Sequence, residues 1–152
     1  MATLHLMVGL PFSGKTTLAK KLEQDLGAVR FTPDAWQLQL FGQDAEHPDH
    51  DERHSKIEAL QWQLAKQLLT KNIDVILDFG LWTRLERDTL KTKAAALGAR
   101  TKLHFLDVPL EVLFDRLDKR NKHLGTESFY IPRDMFKQWL PLFEPPDDDE
   151  FF

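Results

Sequence analysis

The chain of 152 residues contains no cysteine. Disulfides, thiolate metal sites and cysteine nucleophiles are therefore excluded, and the composition fits a reducing cytoplasm. No apolar run approaches the ~18 residues of a membrane span, so no membrane segment is expected. Basic excess is missing too: 20 Lys and Arg face 24 Asp and Glu, for a net charge of −4. A nucleic-acid binder usually carries a basic footprint. Here the acidic residues gather instead at 44–52 and 147–150. The first strand has no basic flank or apolar leader before it, so a cleavable signal peptide is not expected. No internal repeat of roughly 20 to 50 residues is present. An apolar share of 42% in a chain of this length suffices for one domain with a sizeable core.

What is present begins at residue 9. Gly9-Leu10-Pro11-Phe12-Ser13-Gly14-Lys15-Thr16 matches the phosphate-binding pattern G-x-x-x-x-G-K-[ST]. Glycines let the backbone turn tightly so that successive N–H groups converge on one anion. A helix starting at the loop points its N-terminus at that anion. Lys15 adds a point charge toward the β- and γ-phosphates, and the Thr16 hydroxyl can ligate Mg²⁺. The context is right. An apolar strand over 3–8 precedes the loop, and Leu18 and Leu22 share a face of the helix that follows.

Strands and helices then alternate. A second strand is expected over 29–31, then a short helix from Pro33 to about 41 and a polar loop over 42–50. A longer helix over 51–69 has Ile57, Leu60, Leu64 and Leu68 as its expected buried face. The near-continuous apolar run 73–78 reads as a strand buried on both faces. Thr83 is a candidate cap for a helix over 84–97, ended by Gly98. A fourth strand over 102–107, a helix over 110–121, a polar stretch over 122–130 and a short helix from 132 to about 140 complete the chain. This order predicts a parallel α/β sheet with its ligand site at the carboxyl ends of the strands. The phosphate loop, Asp34, Asp78 and Asp107 all fall at those ends.

Asp78 has the placement of a metal-holding aspartate beside Thr16. Phe79 stands where many motor ATPases carry a water-activating glutamate, which argues against a hydrolysing motor. Asp34 is either a carboxylate facing the γ-phosphate or a turn residue after Pro33. Arg116 and Arg120, spaced i and i+4, are candidates to stabilise charge in phosphoryl transfer. Arg84 and Arg87 open a helix whose dipole opposes them, so a substrate or phosphate contact competes with surface ion pairing. His47, His50 and His54 lack a recognised metal-ligand pattern and read as part of a solvated polar loop. Trp62 reads as core, whereas Trp36 and Trp82 are candidates for core or substrate pocket alike. No Asn-Lys-x-Asp guanine motif is present.

These pieces together resemble the small P-loop kinases of the AAA-domain type, related to the kinase domain of polynucleotide kinase and to chloramphenicol phosphotransferase. The resemblance rests on residues 9–17, Thr32-Pro33-Asp34-Ala35-Trp36, Val75-Ile76-Leu77-Asp78, Leu106-Asp107-Val108-Pro109 and the run 116–121. It implies a three-layer P-loop NTP hydrolase fold: a mainly parallel sheet of about four strands, helices on both faces and a small lid. It implies a kinase domain over 1–146, with a lid near 121–131 and a substrate-side helical segment near 44–71, followed by an acidic tail over 147–152. It implies ATP and Mg²⁺ as cofactors. Gly9, Pro11, Phe12, Ser13, Gly14, Lys15, Thr16, Thr17 and Arg120 would bind the nucleotide, Thr16 and Asp78 the metal. Lys15, Asp34, Arg116 and Arg120 would be catalytic, with Asp34 as base; Asp34, Trp36, Trp82, Arg84 and Arg87 are candidates to meet the substrate. Polynucleotide kinase carries an arginine three residues after its catalytic aspartate. Gln37 stands there, which weakens the case for a nucleic-acid acceptor and favours a small-molecule hydroxyl. Monomer and homodimer are both compatible with the sequence.

Overall fold

The computed structural model describes residues 1–43, 45–125 and 129–151. The chain runs β1 (Thr3–Val8), α1 (Lys15–Leu26), β2 (Val29–Phe31), α2 (Pro33–Phe41), α3 (His50–Thr70), β3 (Val75–Gly80), α4 (Arg84–Ala96), β4 (Arg100–Phe105), α5 (Leu110–Lys122) and α6 (Arg133–Trp139). Two short 3₁₀ turns follow, Leu140–Leu142 and Asp148–Phe151. The four strands form one parallel sheet in the order β2-β3-β1-β4. Among the described residues no helix is long and apolar enough to cross a membrane.

Both faces of the sheet are covered, which is why β1 and β3 are apolar at successive positions rather than alternate ones. Leu4, Leu6, Val8, Val75 and Leu77 pack on one face with Ala65 and Leu69 of α3 and Leu90 and Ala94 of α4. Met7 and Ile76 pack on the other with Ala19 and Ala28, flanked by Leu18 and Leu22 of α1. A separate cluster of Phe12, Leu113, Leu117, Phe129, Ile131 and Phe136 fastens α5 and α6 to the phosphate loop. Thr83 caps α4, its hydroxyl accepting from the Glu86 amide at 3.2 Å.

Two expectations are corrected. The buried stripe of α3 is Ile57, Gln61, Ala65 and Leu69, while Leu60 and Leu64 are 55% and 42% exposed. The stripe keeps i, i+4 spacing but sits one residue further along, where small Ala65 lets the helix approach the sheet. β3 spans Val75–Gly80 and β4 Arg100–Phe105, because pairing with β1 fixes them: Leu4 lies opposite Val75, and Thr3 through Val8 lie opposite Arg100 through Phe105. Asp78 is thus inside its strand, and Asp107 lies beyond β4. The acidic tail is docked on α4. Arg87 is buried and donates to Glu150 through Nε at 2.6 Å and Nη2 at 3.2 Å, and to the Leu81 carbonyl at 2.9 Å. Lys91 reaches the Glu150 carbonyl at 3.0 Å.

The Arg87–Glu150 pair is desolvated on both sides, so removing one partner strands a buried charge at a cost of about 3–5 kcal/mol. Glu150→Ala is expected to lose about that much stability in urea denaturation. Arg87→Leu combined with Glu150→Leu should lose clearly less than the single change. Equal losses would mean that the ionic contact is not what holds the tail.

Candidate functional site

The phosphate loop is built by backbone constraint. Gly9 donates its N–H to the Gly80 carbonyl at 3.2 Å, joining the ends of β1 and β3. A Cβ on Gly9 would lie 2.6 Å from Ser13 Oγ and 3.3 Å from Ser13 Cβ, so a side chain here would displace Ser13 from the loop. Phe12 and Gly14 adopt left-handed φ of 70° and 93°. Gly14 then serves as the N-cap of α1 with no capping side chain, which leaves the amides of the first turn open to an anion.

Asp78 gathers the loop and the neighbouring strands. Its Oδ2 accepts from Thr16 Oγ1 at 2.6 Å and Thr32 Oγ1 at 3.0 Å. Lys15 Nζ lies 3.8 Å from Oδ1. Asp78 is 3% exposed, and among the described residues Oδ1 has no hydrogen-bond donor. A buried, unfilled carboxylate oxygen beside a threonine hydroxyl is the hard-oxygen donor set that Mg²⁺ prefers, so the residues present fit that ion.

Two arginines flank the loop from α5. Arg116 Nη1 donates to the Phe12 carbonyl at 2.9 Å and braces the loop backbone. The Arg120 guanidinium sits over the Phe12 ring, 5.3 Å from its centroid, and lines the cleft. Burial, and then the neighbouring Arg116, push the Arg120 pKa down. Among the described residues no carboxylate pairs with Arg120. Two adjacent cations, one desolvated and unpaired, form a place where an anion relieves strain in the charge distribution.

Across the cleft, Asp34 lies in the first turn of α2 with its side chain 44% exposed. His54 of α3 approaches it, Nδ1 to Oδ1 at 3.7 Å. Gln37, wholly buried, organises this side. Its Nε2 donates to the His50 carbonyl at 3.0 Å and meets His50 Nδ1 at 3.1 Å. A carbonyl only accepts, so the amide orientation is fixed. Gln37 Oε1, 3.1 Å from His54 Nδ1, must therefore accept a proton held there. Burial lowers the His54 pKa, Asp34 raising it in part and His50 and Lys15 lowering it further, so the ring is neutral at neutral pH.

The sequence-derived candidates separate accordingly. Pro11, Phe12, Lys15, Thr16, Thr17, Asp34, Trp82 and Arg120 line one cleft of about 520 Å³. Trp36 packs instead on Phe31 at the core layer, with ring centroids 6.1 Å apart. Trp62 also packs against the core. Arg87 belongs to the buried tail contact, and Arg84 is held by Asp88, Asp147 and Asp149 at 2.8 to 3.2 Å. For both arginines a substrate contact competed with ion pairing, and in the structure both are ion-paired: Arg84 with Asp88 of its own helix and with two tail aspartates, Arg87 with Glu150. His50 and His54 are helical and line the cleft rather than a solvated loop. Their i, i+4 spacing was the available signal. Residues 126–128 of the expected lid lie outside the described residues. Asn121 grips its far end, donating to the Ile131 carbonyl at 2.8 Å and accepting from the Ile131 amide at 3.3 Å.

The AAA domain family matches residues 4–146. The chain belongs to the AAA-domain family. Solved structures place this AAA domain among P-loop kinase folds. A chain of the Pnkp1/Rnl/Hen1 RNA repair complex is 27% identical over 93% of this chain, with a TM-score of 0.70. This AAA domain spans only 43% of that chain. Kti12 from Chaetomium thermophilum, in complex with ADP-AlF3, is 22% identical over 95% of this chain and 81% of its own, with a TM-score of 0.72. A sugar kinase from Janibacter sp. HTCC2649 is 22% identical over 98% of this chain and 81% of its own, with a TM-score of 0.62. No curated protein matches the sequence.

Gln37→Leu would leave the His50 carbonyl and His54 Nδ1 without their partner, at about 1–3 kcal/mol. We expect a lower melting temperature and, in imidazole NMR spectra, His54 losing its single Nδ1–H tautomer. An unchanged tautomer would show that another group holds the ring.

Proposed function

We propose that the protein is a phosphotransferase that moves the γ-phosphate of ATP to a hydroxyl of a small-molecule acceptor. The observation that carries this reading is one cleft lined both by Lys15, Thr16 and Thr17 of the phosphate loop and by Asp34 of α2. In this reading residues 1–146 are the kinase domain, 121–131 its lid and 44–71 its acceptor side, with 147–152 as an acidic tail. The AAA-domain membership and the P-loop kinase fold support it.

The loop amides and Lys15 hold the β- and γ-phosphates. Arg120, already beside the cleft, offsets charge on the γ-phosphate oxygens during transfer. Arg116 keeps the loop in register by its contact with the Phe12 carbonyl. Asp34 takes the acceptor's hydroxyl proton as the new O–P bond forms and the β–γ bridging P–O bond breaks, releasing ADP. Neutral His54, pinned by Gln37, fills the space beside Asp34 without protonating it. Thr16 and Asp78 would hold Mg²⁺, which when bound neutralises phosphate charge. The residue after Asp78 is Phe79, an apolar side chain packed against the core, so no carboxylate follows to activate water.

Transfer of labelled γ-phosphate from Mg-ATP to a pooled panel of alcohols tests this. Asp34→Asn should lower transfer by about 10²–10⁴-fold with ATP affinity nearly unchanged. Lys15→Ala should weaken ATP binding itself. Undiminished transfer by Asp34→Asn would overturn the base assignment.

A further inference from the structure

Gln37 sets two histidines in opposite proton forms. It is wholly buried, so no water competes for its amide. Its Nε2 donates to the His50 carbonyl at 3.0 Å, which leaves Oε1 for His54. His54 therefore carries its proton on Nδ1, and its Nε2 is a bare acceptor 3.7 Å from the Glu58 carboxyl. His50 is held the other way. Its Nδ1 lies 3.1 Å from the same Gln37 Nε2, which has only protons to offer, so Nδ1 accepts. A proton on His50 Nδ1 would meet the amide N–H head-on. The ring proton of His50 is therefore on Nε2.

That Nε2–H is unused. Among the described residues no group hydrogen-bonds to it, and it is not one of the buried unpaired atoms. His50 lines the same cleft as Asp34 and His54. The Phe129 ring, 5.0 Å away at 83°, and the His54 ring, 6.3 Å away at 21°, restrain the imidazole plane. Asp34 Oδ1 is 3.7 Å from His54 Nδ1, so the carboxylate and His50 are both neighbours of one ring. The cleft thus holds a hydrogen-bond donor, fixed in one tautomer by a buried amide, close to the carboxylate read as the base.

We infer that His50 is a specificity-determining residue: its Nε2–H donates to a second oxygen of the acceptor while Asp34 receives the reacting hydroxyl, so the acceptor is a polyhydroxy compound rather than a simple alcohol. The inference rests on the phosphotransferase reading and names its substrate class. Ionised Asp34 only accepts, and His50 Nε2 only donates. A polyol meets both, one hydroxyl giving its proton to Asp34 and another presenting a lone pair to His50. The reacting oxygen is a poor partner for both groups, since it needs its lone pair for phosphorus and a donor aimed at it lowers its nucleophilicity. An alcohol with one oxygen therefore leaves His50 unpaired, and a site built to hydrogen-bond a substrate oxygen discriminates against the analogue lacking it.

The test is imidazole NMR on the full nitrogen-labelled chain, with a non-hydrolysable ATP analogue in the nucleotide site. The probes are methyl glucoside, myo-inositol and cyclohexanol, the last being the inositol ring with a single hydroxyl. Before any probe is added, His50 should show the Nε2–H tautomer and His54 the Nδ1–H tautomer. Each polyol should shift the His50 Nε2–H resonance downfield in a saturable way, and cyclohexanol should not. His50→Phe keeps a ring at this position and removes the donor. It should weaken polyol binding, followed on the His54 signals, by at least about tenfold, with ATP-analogue binding unchanged. A His50 in the Nδ1–H tautomer, an equal shift with cyclohexanol, or no saturable shift with either polyol would overturn the inference. So would undiminished polyol binding by folded His50→Phe. The readings on the natural protein decide the matter even if that variant does not fold. Because no transfer step is read, failure here leaves the kinase reading standing, and failure of the transfer assay leaves these results interpretable.

Discussion

The buried carboxylate of Asp78 is the constraint on which the site depends. It sits inside β3, beside the central strand that delivers the phosphate loop, and accepts from Thr16 at the start of α1 and Thr32 at the end of β2. One side chain thereby sets the spacing between the loop and the helix carrying Asp34. At this depth the carboxylate is met by two hydroxyl donors and approached by the Lys15 ammonium. Its Oδ1 has no hydrogen-bond donor among the described residues, so the group that organises the loop also keeps one oxygen available to a hard cation.

The Trp82 wall of the cleft depends on the end of the chain. The Glu144 amide donates to the Trp82 carbonyl at 2.7 Å, and Phe143 packs against Trp82. Beyond them the tail is locked to α4 through Arg84, Arg87 and Lys91. The acidic run therefore pairs with Arg84 and Arg87 and fastens the segment that packs Phe143 against Trp82.

What the sequence made legible was set by local chemistry. The phosphate loop stands out because its glycines answer a backbone requirement, seen in the left-handed Gly14 and the closed space at Gly9. β1, β2 and α2 have the bounds expected, since apolar runs and Pro33 mark them sharply. Burial on α3 was misread because Leu60 and Leu64 outrank Gln61 in hydrophobicity, yet it is Gln61 that the sheet covers. Gln37 was visible only as a missing arginine. Its work, fixing two histidines 13 and 17 residues away, emerges from the packing of α2 on α3. Arg84 and Arg87 were ambiguous for the same reason: a charge reveals its role only with its partners, and beyond the local Asp88 theirs lie in the tail.

The most direct measurement is ATP binding by calorimetry with and without Mg²⁺, in the natural protein and in Asp78→Asn. If Asp78 is the common organiser of loop and metal, Mg²⁺ strengthens ATP binding to the natural protein, and most of that gain disappears in Asp78→Asn while the variant stays folded. The same Mg²⁺ gain in both proteins would contradict the account.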